Sequence, residues 1–456
     1  MAIILPANTL SAGGFSVANS CRFNGADNAS MSKSISSTST TWTFSAWIKR
    51  GDTGTPSRFL VSWGGDNWTG VGFGSTDYIQ YYDVASESNP VTTAKYRDPA
   101  AWMHLVVKNN AGTITFYVNG ATPAGSGGTT GHALSSTTLY IGNLPDNSAD
   151  FDGYLAEVVF IDGTAYSASD FGEFDEDSPT IWKPKDVSGL TFGSDGFYLD
   201  FEDSANLGND ANGGTDLTET NIAATDQATD TPTNNFCVGN PLDNYYYAST
   251  FSEGNCKITT NASNKTYNTS TFAVTAGKWY FECKASDTNS DDAQFGIASV
   301  LSTATDDELK TSAGNYCYRS GGTKATGDSS TSYGATWNDD ADIISVALDL
   351  TNLKIYFAKN GTWQDSGDPT SGATGTGAAF TITAPASQTI AGSIQAYTPA
   401  FGEEGAQSDV FELNFGNPSY ANSSDAADAN GYGKFEYAPP SGYLALCTKN
   451  LGSDGG

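Results

Sequence analysis

The chain has 456 residues, more than one ordinary domain, and its 38% apolar content includes 24 Phe, 23 Tyr and 9 Trp, which excludes both a small module and a wholly disordered chain. Its 50 Gly and only 3 Met, with abundant Ser, Thr and Asn, favour short strands and tight turns over helix interiors. A net charge of −30, from 51 acidic and 21 basic residues, repels a phosphate backbone or an anionic membrane surface and argues against nucleic acid as a partner.

The opening MAIILPANTLSAGG has few consecutive apolar residues and no Lys or Arg before Arg22, so it lacks the charged and apolar regions of a signal peptide. Synthesis in a cytoplasm without ordinary secretion is the expectation, and no apolar run reaches the roughly 18–20 residues that span a bilayer. Residues 1–19 are expected to form an attachment strand or oligomer contact, since ILPANTL precedes the first module without an evident core partner. From Trp42 the runs WTFSAWIKR, RFLVSW, VGFG, YIQYY, WMHLVVK, TITFYVNG, TLYIGN and YLAEVVFIDG follow one another between turn residues. Ile114, Phe116 and Val118 alternate, as in a strand with one buried face. These runs predict an antiparallel β-sandwich over residues 20–168.

Residues 169–239 form an acidic connector in which Lys183 and Lys185 are the only bases. GFYLDF, Trp182 and Phe192 predict order there, and TDQATDTPTNN predicts a flexible portion. Strand patterns resume over 240–449 with KWYFECKA, AQFGIASV, DIISVALDL, LKIYFAKNGTW, SIQAYTPAF and FELNFG, and residues 450–456 read as a tail. Val346, Leu348 and Leu350 alternate, and Asn360-Gly361 signals a type I′ hairpin turn. The fold class is all-β: two antiparallel β-sandwich, jelly-roll-like domains joined by the connector.

The series FSAWIKR, WMHLVVK, ITFYVNG, LYIGN and FDGYLAEVVFIDGTAYSASDF resembles the concanavalin-A-like, laminin-G-like jelly-roll superfamily across nearly the whole first sandwich. WYFE, FGIAS, YGATWNDDADIISVALDL, IYFAKNGTW and the terminal NFG…SGYLAL are similar to a SPRY domain, in that family's order. SPRY domains are interaction modules, so this resemblance implies binding through loops at one edge. The segment TNNFCVGNPLDNYYYASTFSEGN is similar to one that joins such modules in structural proteins of tailed bacteriophages, especially marine and cyanobacterial phages. Together the resemblances imply a non-enzymatic virion surface protein of fibre or receptor-binding type that contacts host-surface carbohydrate or protein. They also imply other virion proteins as partners and a homo-oligomer. The alternative is a head decoration, head-fibre or tail structural protein that binds mainly other virion proteins.

A third reading, a carbohydrate hydrolase, would need paired carboxylates on one strand face. Glu173-Phe174-Asp175-Glu176-Asp177 only approximates such a pattern and reads as a solvated acidic turn after the last strand. The two histidines give no nucleophilic constellation: His104 lies in a strand and reads as packed, and His132 reads as an exposed loop residue. The six cysteines have no zinc-like spacing and read as packed thiols. No cofactor motif is present, and calcium is the one ion with candidates, weakly, at Asp66, Asp77 and Asp83. Glycan binding suits the aromatic content, because a sugar's apolar face packs on a ring while its hydroxyls need polar partners. Trp63, Asp66, Asn67, Trp68, Tyr81 and Tyr82 are the candidates, with Trp68 the preferred exposed ring and with Tyr81 and Tyr82 expected on opposite sheet faces. On the SPRY-like side the candidates are Tyr245, Tyr246, Tyr247 and Trp363, while Tyr333 and Trp337 read as core.

Overall fold

The computed structural model describes residues 3–4, 14–54, 56–85, 89–125, 127–128, 132–244, 247–286, 293–302, 307–337, 341–405 and 408–454. The chain divides into two compact units, one of Leu10–Asn235 with Ser252–Gly254, the other of Met1–Thr9, Phe236–Phe251 and Asn255–Gly456. Both are built of antiparallel sheets, and the all-β class read from the sequence is the one the chain adopts.

In the Leu10–Asn235 unit, one sheet runs Gln227–Ala228, Ser20–Phe23, Gly153–Asp162, Thr41–Arg50, Met103–Asn110, Thr113–Val118, with Phe197–Leu199 also paired to Gly153–Asp162. The other runs Thr218–Thr220, Ser30–Ile35, Thr137–Ile141, Arg58–Trp63, Thr69–Phe73, Tyr78–Asp83, Val91–Lys95. Alternation aims Phe44, Ala46 and Ile48 of one sheet, and Tyr81, Leu139 and Ile141 of the other, into a shared core. Trp42 and Trp63 meet edge to face there, with centroids 5.1 Å apart. A bulge between Ala156 and Val159 turns Glu157 to φ +49° and hands its carboxylate to the Tyr198 hydroxyl at 2.7 Å.

The acidic segment is sheet material: Phe197–Leu199, Thr218–Thr220 and Gln227–Ala228 all extend the two sheets of this unit. The portion expected to be flexible is instead tied down by a buried ion pair. Lys49 Nζ lies 2.6 Å from Asp230 Oδ2 and donates to Asn235 Oδ1 at 2.7 Å, while Trp102 Nε1 donates to Asp230 Oδ1 at 2.8 Å. A chain rich in Asp and Thr folds here because its polar groups find buried partners. Val17, from the expected attachment segment, is likewise buried against Trp47 and Ala156.

In the second unit, the larger sheet has the central run Lys257–Thr259, Val410–Asn414, Lys278–Ser286, Ile343–Asp349, Lys354–Lys359, Thr362–Trp363. It is joined by a sheet of Thr266–Thr269, Ser393–Glu403, Gln294–Val300, Tyr316–Arg319, Thr323–Thr326 and Ser329–Ser332. Trp279, Phe281, Phe295, Trp337 and Phe401 are among the buried residues of the core, and Tyr333 joins them. Asn360 and Gly361 both have positive φ, +48° and +76°, as the type I′ turn requires. Ile4 forms a parallel bridge with Phe272 and packs on this core, so this apolar part of the opening segment does have a core partner. The expected tail is also structured: Thr448–Asp454 is a helix that buries Leu451.

Candidate functional site

The hairpin Arg58–Trp63/Thr69–Phe73 pairs Trp63 with Thr69, and Gly64, at φ +104°, begins the connecting turn. A Cβ on Gly64 would come within 3.0 Å of the Asn67 carbonyl and the Trp68 Cα, so glycine is what lets the turn close. The turn separates the two tryptophans of WGGDNW: Trp63 is 1% exposed in the core, whereas Trp68 is half-buried on the outer face. Trp63 is therefore not a ligand contact, and neither is Tyr81, which is wholly buried. Burial raises the Tyr81 phenol well above its usual range, and its oxygen accepts the His132 N–H at 2.8 Å.

Tyr82 points the other way and is 37% exposed. Its cross-strand neighbour is Gly70, and a Cβ there would lie 2.7 Å from the Phe59 ring. The missing side chain leaves room for aromatic rings to lie over the outer face of the sheet. Trp68 sits 5.1 Å from Tyr82 at 31° and 5.1 Å from Phe59 at 78°. The Trp68 carbonyl accepts the Val84 N–H at 3.2 Å, fixing the turn to the neighbouring strand. Asp66 and Asn67 are exposed beside this ring pair, and Val84 and Val91 are exposed apolar residues near the same edge. Sequence reasoning missed Phe59, Val84 and Val91. The glycines of TGVGF, which leave a face without side chains, were the available signal for Phe59.

The calcium candidates are not brought together. Asp77 is buried and held by Arg50 at 3.1 Å, Arg97 at 2.5 Å and the Gly54 N–H at 2.6 Å; burial pushes its pKa up, but these donors outweigh it and keep the carboxyl below the usual range. Asp83 is buried against His132 Nδ1 at 2.5 Å and caps the Ala85 N–H. Among the described residues no group of three or more His, Cys, Asp or Glu is placed to hold a metal ion.

His104 is packed, as its strand position implied. Trp182 Nε1 donates to its Nδ1 at 2.9 Å, which puts the proton on Nε2, facing Ser45 Oγ at 2.8 Å. Burial lowers its pKa to about 3, so the ring is neutral at ordinary pH. His132 is exposed, as expected for a loop. The acidic run is a largely solvated turn, as expected, with Glu173, Glu176 and Asp177 exposed, but it has one buried member. Asp175 is buried, accepts the Asp177 and Ser178 N–H groups at 3.1 and 3.0 Å, and lies 3.5 Å from Lys183, which also approaches Glu173 and Glu176. These carboxylates are engaged in holding a turn. All six cysteine side chains are buried.

On the second unit Tyr245 and Tyr246 lie outside the described residues, and Tyr247 is half-buried. Trp363 pairs with Ala358 and packs beside Tyr280 and Tyr356 in a satellite cluster, so its ring is partly consumed by packing.

Residues 23–170 match the family described as the concanavalin A-like lectin/glucanases superfamily, and residues 278–392 match the SPRY domain. No curated protein matches the chain. Among solved structures, the chain is similar to the SPRY domain of human HERC1 at 15% identity, covering 38% of this chain and 96% of that one with a TM-score of 0.29. It is similar to a Bacteroides ovatus protein assigned to carbohydrate binding at 18% identity, covering 46% and 60% with a TM-score of 0.34. It is also similar to a heptameric SAP-like pentraxin of Limulus polyphemus at 15% identity, covering 34% and 80% with a TM-score of 0.27. A lectin-like module and a SPRY module in one chain point to a binding protein. Among the described residues no helix is long and apolar enough to cross a membrane.

Proposed function

We propose that this chain is a non-enzymatic virion surface protein of fibre or receptor-binding type that recognises host-surface carbohydrate through the Trp68–Tyr82 ring pair. The observation that carries the carbohydrate reading is the placement of these two rings, Tyr82 exposed and Trp68 half-buried, 5.1 Å apart on the outer face of a lectin-like sheet, with Asp66 and Asn67 alongside. Rings take the apolar face of a pyranose and the neighbouring polar side chains take its hydroxyls. The virion reading is supported by the likeness of residues 233–255 to phage structural proteins. Several copies on one particle would turn a weak site into firm attachment.

The test is binding of the purified full-length protein to candidate host cells and to their extracted surface polysaccharide. Saturable binding that soluble polysaccharide competes away, and that Trp68→Ala weakens at least tenfold, is the expected result. If the protein binds neither cells nor polysaccharide, the receptor reading fails. The exposed Val84 and Val91 beside the rings then favour the second reading, a structural protein whose face meets other virion proteins.

A further inference from the structure

A cavity lies in the Leu10–Asn235 unit, assembled from the strand Ser30–Ile35, Thr138 and two turns of the acidic segment around Asp195 and Gly214. Its volume of about 450 Å³ falls within the range of small-ligand sites. The strand Thr218–Thr220 pairs only with Ser30–Ser32, so it stops where Lys33 begins and leaves the rest of that edge facing the cavity. Edge backbone groups need partners. Here the partner strand is replaced by an opening.

The walls are hydroxylic: Ser32, Ser34, Thr138, Thr215 and Thr218 all line it. Two carboxylates join them already oriented by the backbone. Asp195 Oδ2 accepts the N–H groups of Ser36 and Ser37 at 2.8 and 2.6 Å, and Asp216 Oδ1 accepts the Asp210 N–H at 3.0 Å. Lys33 shares strand parity with the core residues Met31 and Ile35, yet carries its ammonium to the cavity, where it lies 3.4 Å from the buried Asp210 carboxylate and 3.5 Å from the Gly196 carbonyl. The turns are fixed by close approach: a Cβ on Gly196 would meet the Phe192 carbonyl at 2.0 Å, and one on Gly214 would meet Asp210 Oδ2 at 2.3 Å. The cavity is thus preformed.

We infer that this cavity binds a neutral, polyhydroxylated ligand: one saccharide residue or a short neutral oligosaccharide. The chemistry selects the class. Carboxylate and hydroxyl walls accept and donate hydrogen bonds to hydroxyl groups. An anionic ligand is disfavoured because Lys33 is already matched by Asp210 and the chain carries a net charge of −30. An apolar ligand would strand the polar walls without partners. The turns around Asp195 and Gly214 lie outside the segment matched to the lectin-like family, so this site belongs to what the acidic segment adds to that sandwich.

This inference shares only the ligand class with the reading of Trp68 and Tyr82, and the test separates the two. D-glucose, D-galactose, D-mannose and N-acetyl-D-glucosamine are titrated into the full chain, and binding is read by calorimetry and saturation-transfer NMR. The same is done with Thr215→Trp, which places a ring in the cavity mouth at an exposed position, and with Trp68→Ala. At least one sugar is expected to bind the wild type and Trp68→Ala alike and to lose at least tenfold in affinity with Thr215→Trp. The inference is overturned if none of the sugars binds at millimolar concentration, or if Trp68→Ala abolishes binding that Thr215→Trp leaves intact. Circular dichroism and the melting temperature of Thr215→Trp establish that it folds, and Thr138→Val, which removes one hydroxyl from the wall, gives a second and smaller loss if the assignment holds.

Discussion

At the scale of single residues, chemistry that looks alike in sequence is separated by which way each side chain points. Tyr81 and Tyr82 were readable as opposite, because strand side chains alternate and nothing interrupts Tyr78–Asp83. Trp63 and Trp68 were separable only in part: the glycine-rich loop marked Trp68 as the preferred exposed ring and core packing was the better reading of Trp63, but a tight glycine-led turn has no period to count, so Trp63 stayed among the candidates. For binding, Tyr82→Phe is expected to retain affinity within a few fold if the ring face is the contact, whereas Tyr82→Ala should fall with Trp68→Ala; polysaccharide competition measures both. Asp77 gives a different expectation. Since Arg50, Arg97 and a backbone N–H hold it, calcium or a chelator should leave the melting temperature unchanged, whereas Asp77→Ala strands the buried Arg50 and should destabilise by about 3 kcal/mol or more in denaturant unfolding. A chelator-induced fall in melting temperature would show that a cation site has been overlooked.

At the scale of elements, strands were legible where an apolar and polar alternation ran for five residues or more, and illegible where order comes from polar pairing. The run KWYFECKA announces its strand, while TDQATDTPTNN looks like a tether although Asp230 and Asn235 fasten it to Lys49. Composition cannot show a partner supplied from 181 positions away in the chain. Removing one member of such a buried pair leaves the other uncompensated, so Asp230→Ala is expected to cost about 3–5 kcal/mol, against a few tenths for an exposed acidic residue such as Asp203. Urea unfolding followed by tryptophan fluorescence checks this, and a near-neutral Asp230→Ala would mean that the segment is not held by the pair. Glu282 has the same character in the other unit. Its carboxylate accepts from Tyr280 at 2.7 Å, from Asn414 at 3.1 Å and from the backbone N–H groups of Glu436 and Tyr437, both at 2.9 Å, so it fastens the segment around Glu436 to its strand.

At the scale of the whole molecule, three buried carboxyls set the response to pH. Burial raises Asp152 to about 7, Glu157 to about 8 and Glu282 to about 7, each above its value in an unfolded chain. Between about pH 4.5 and 8 the folded protein therefore holds more protons than the unfolded one, and stability falls as pH rises. His104 acts oppositely: burial lowers it to about 3, so its contribution is full above about 6.5 and is lost as pH falls toward 3. Above about 6.5 the His104 contribution is constant and the three carboxyls carry the dependence, and below that they outnumber it. The melting temperature should thus rise on going from pH 8 to pH 5.5, in the same direction as relief of self-repulsion in a chain of net charge −30. Calorimetry at fixed ionic strength measures it, and Glu157→Gln should flatten the slope above pH 6.5. A melting temperature that climbs toward pH 8 would contradict the assignment.

The bridge between Ile4 and Phe272 has a consequence for biosynthesis. On a ribosome adding about 5–20 residues per second, Ile4 emerges tens of seconds before its partner exists. By the end of that interval residues 20–235 have been made and can fold as a sandwich, while Ile3 and Ile4 still wait with no strand to join. Closing this contact is therefore among the last steps of maturation, and a nascent chain halted before Phe272 would carry a completed lectin-like module with its earliest apolar residues still unclaimed.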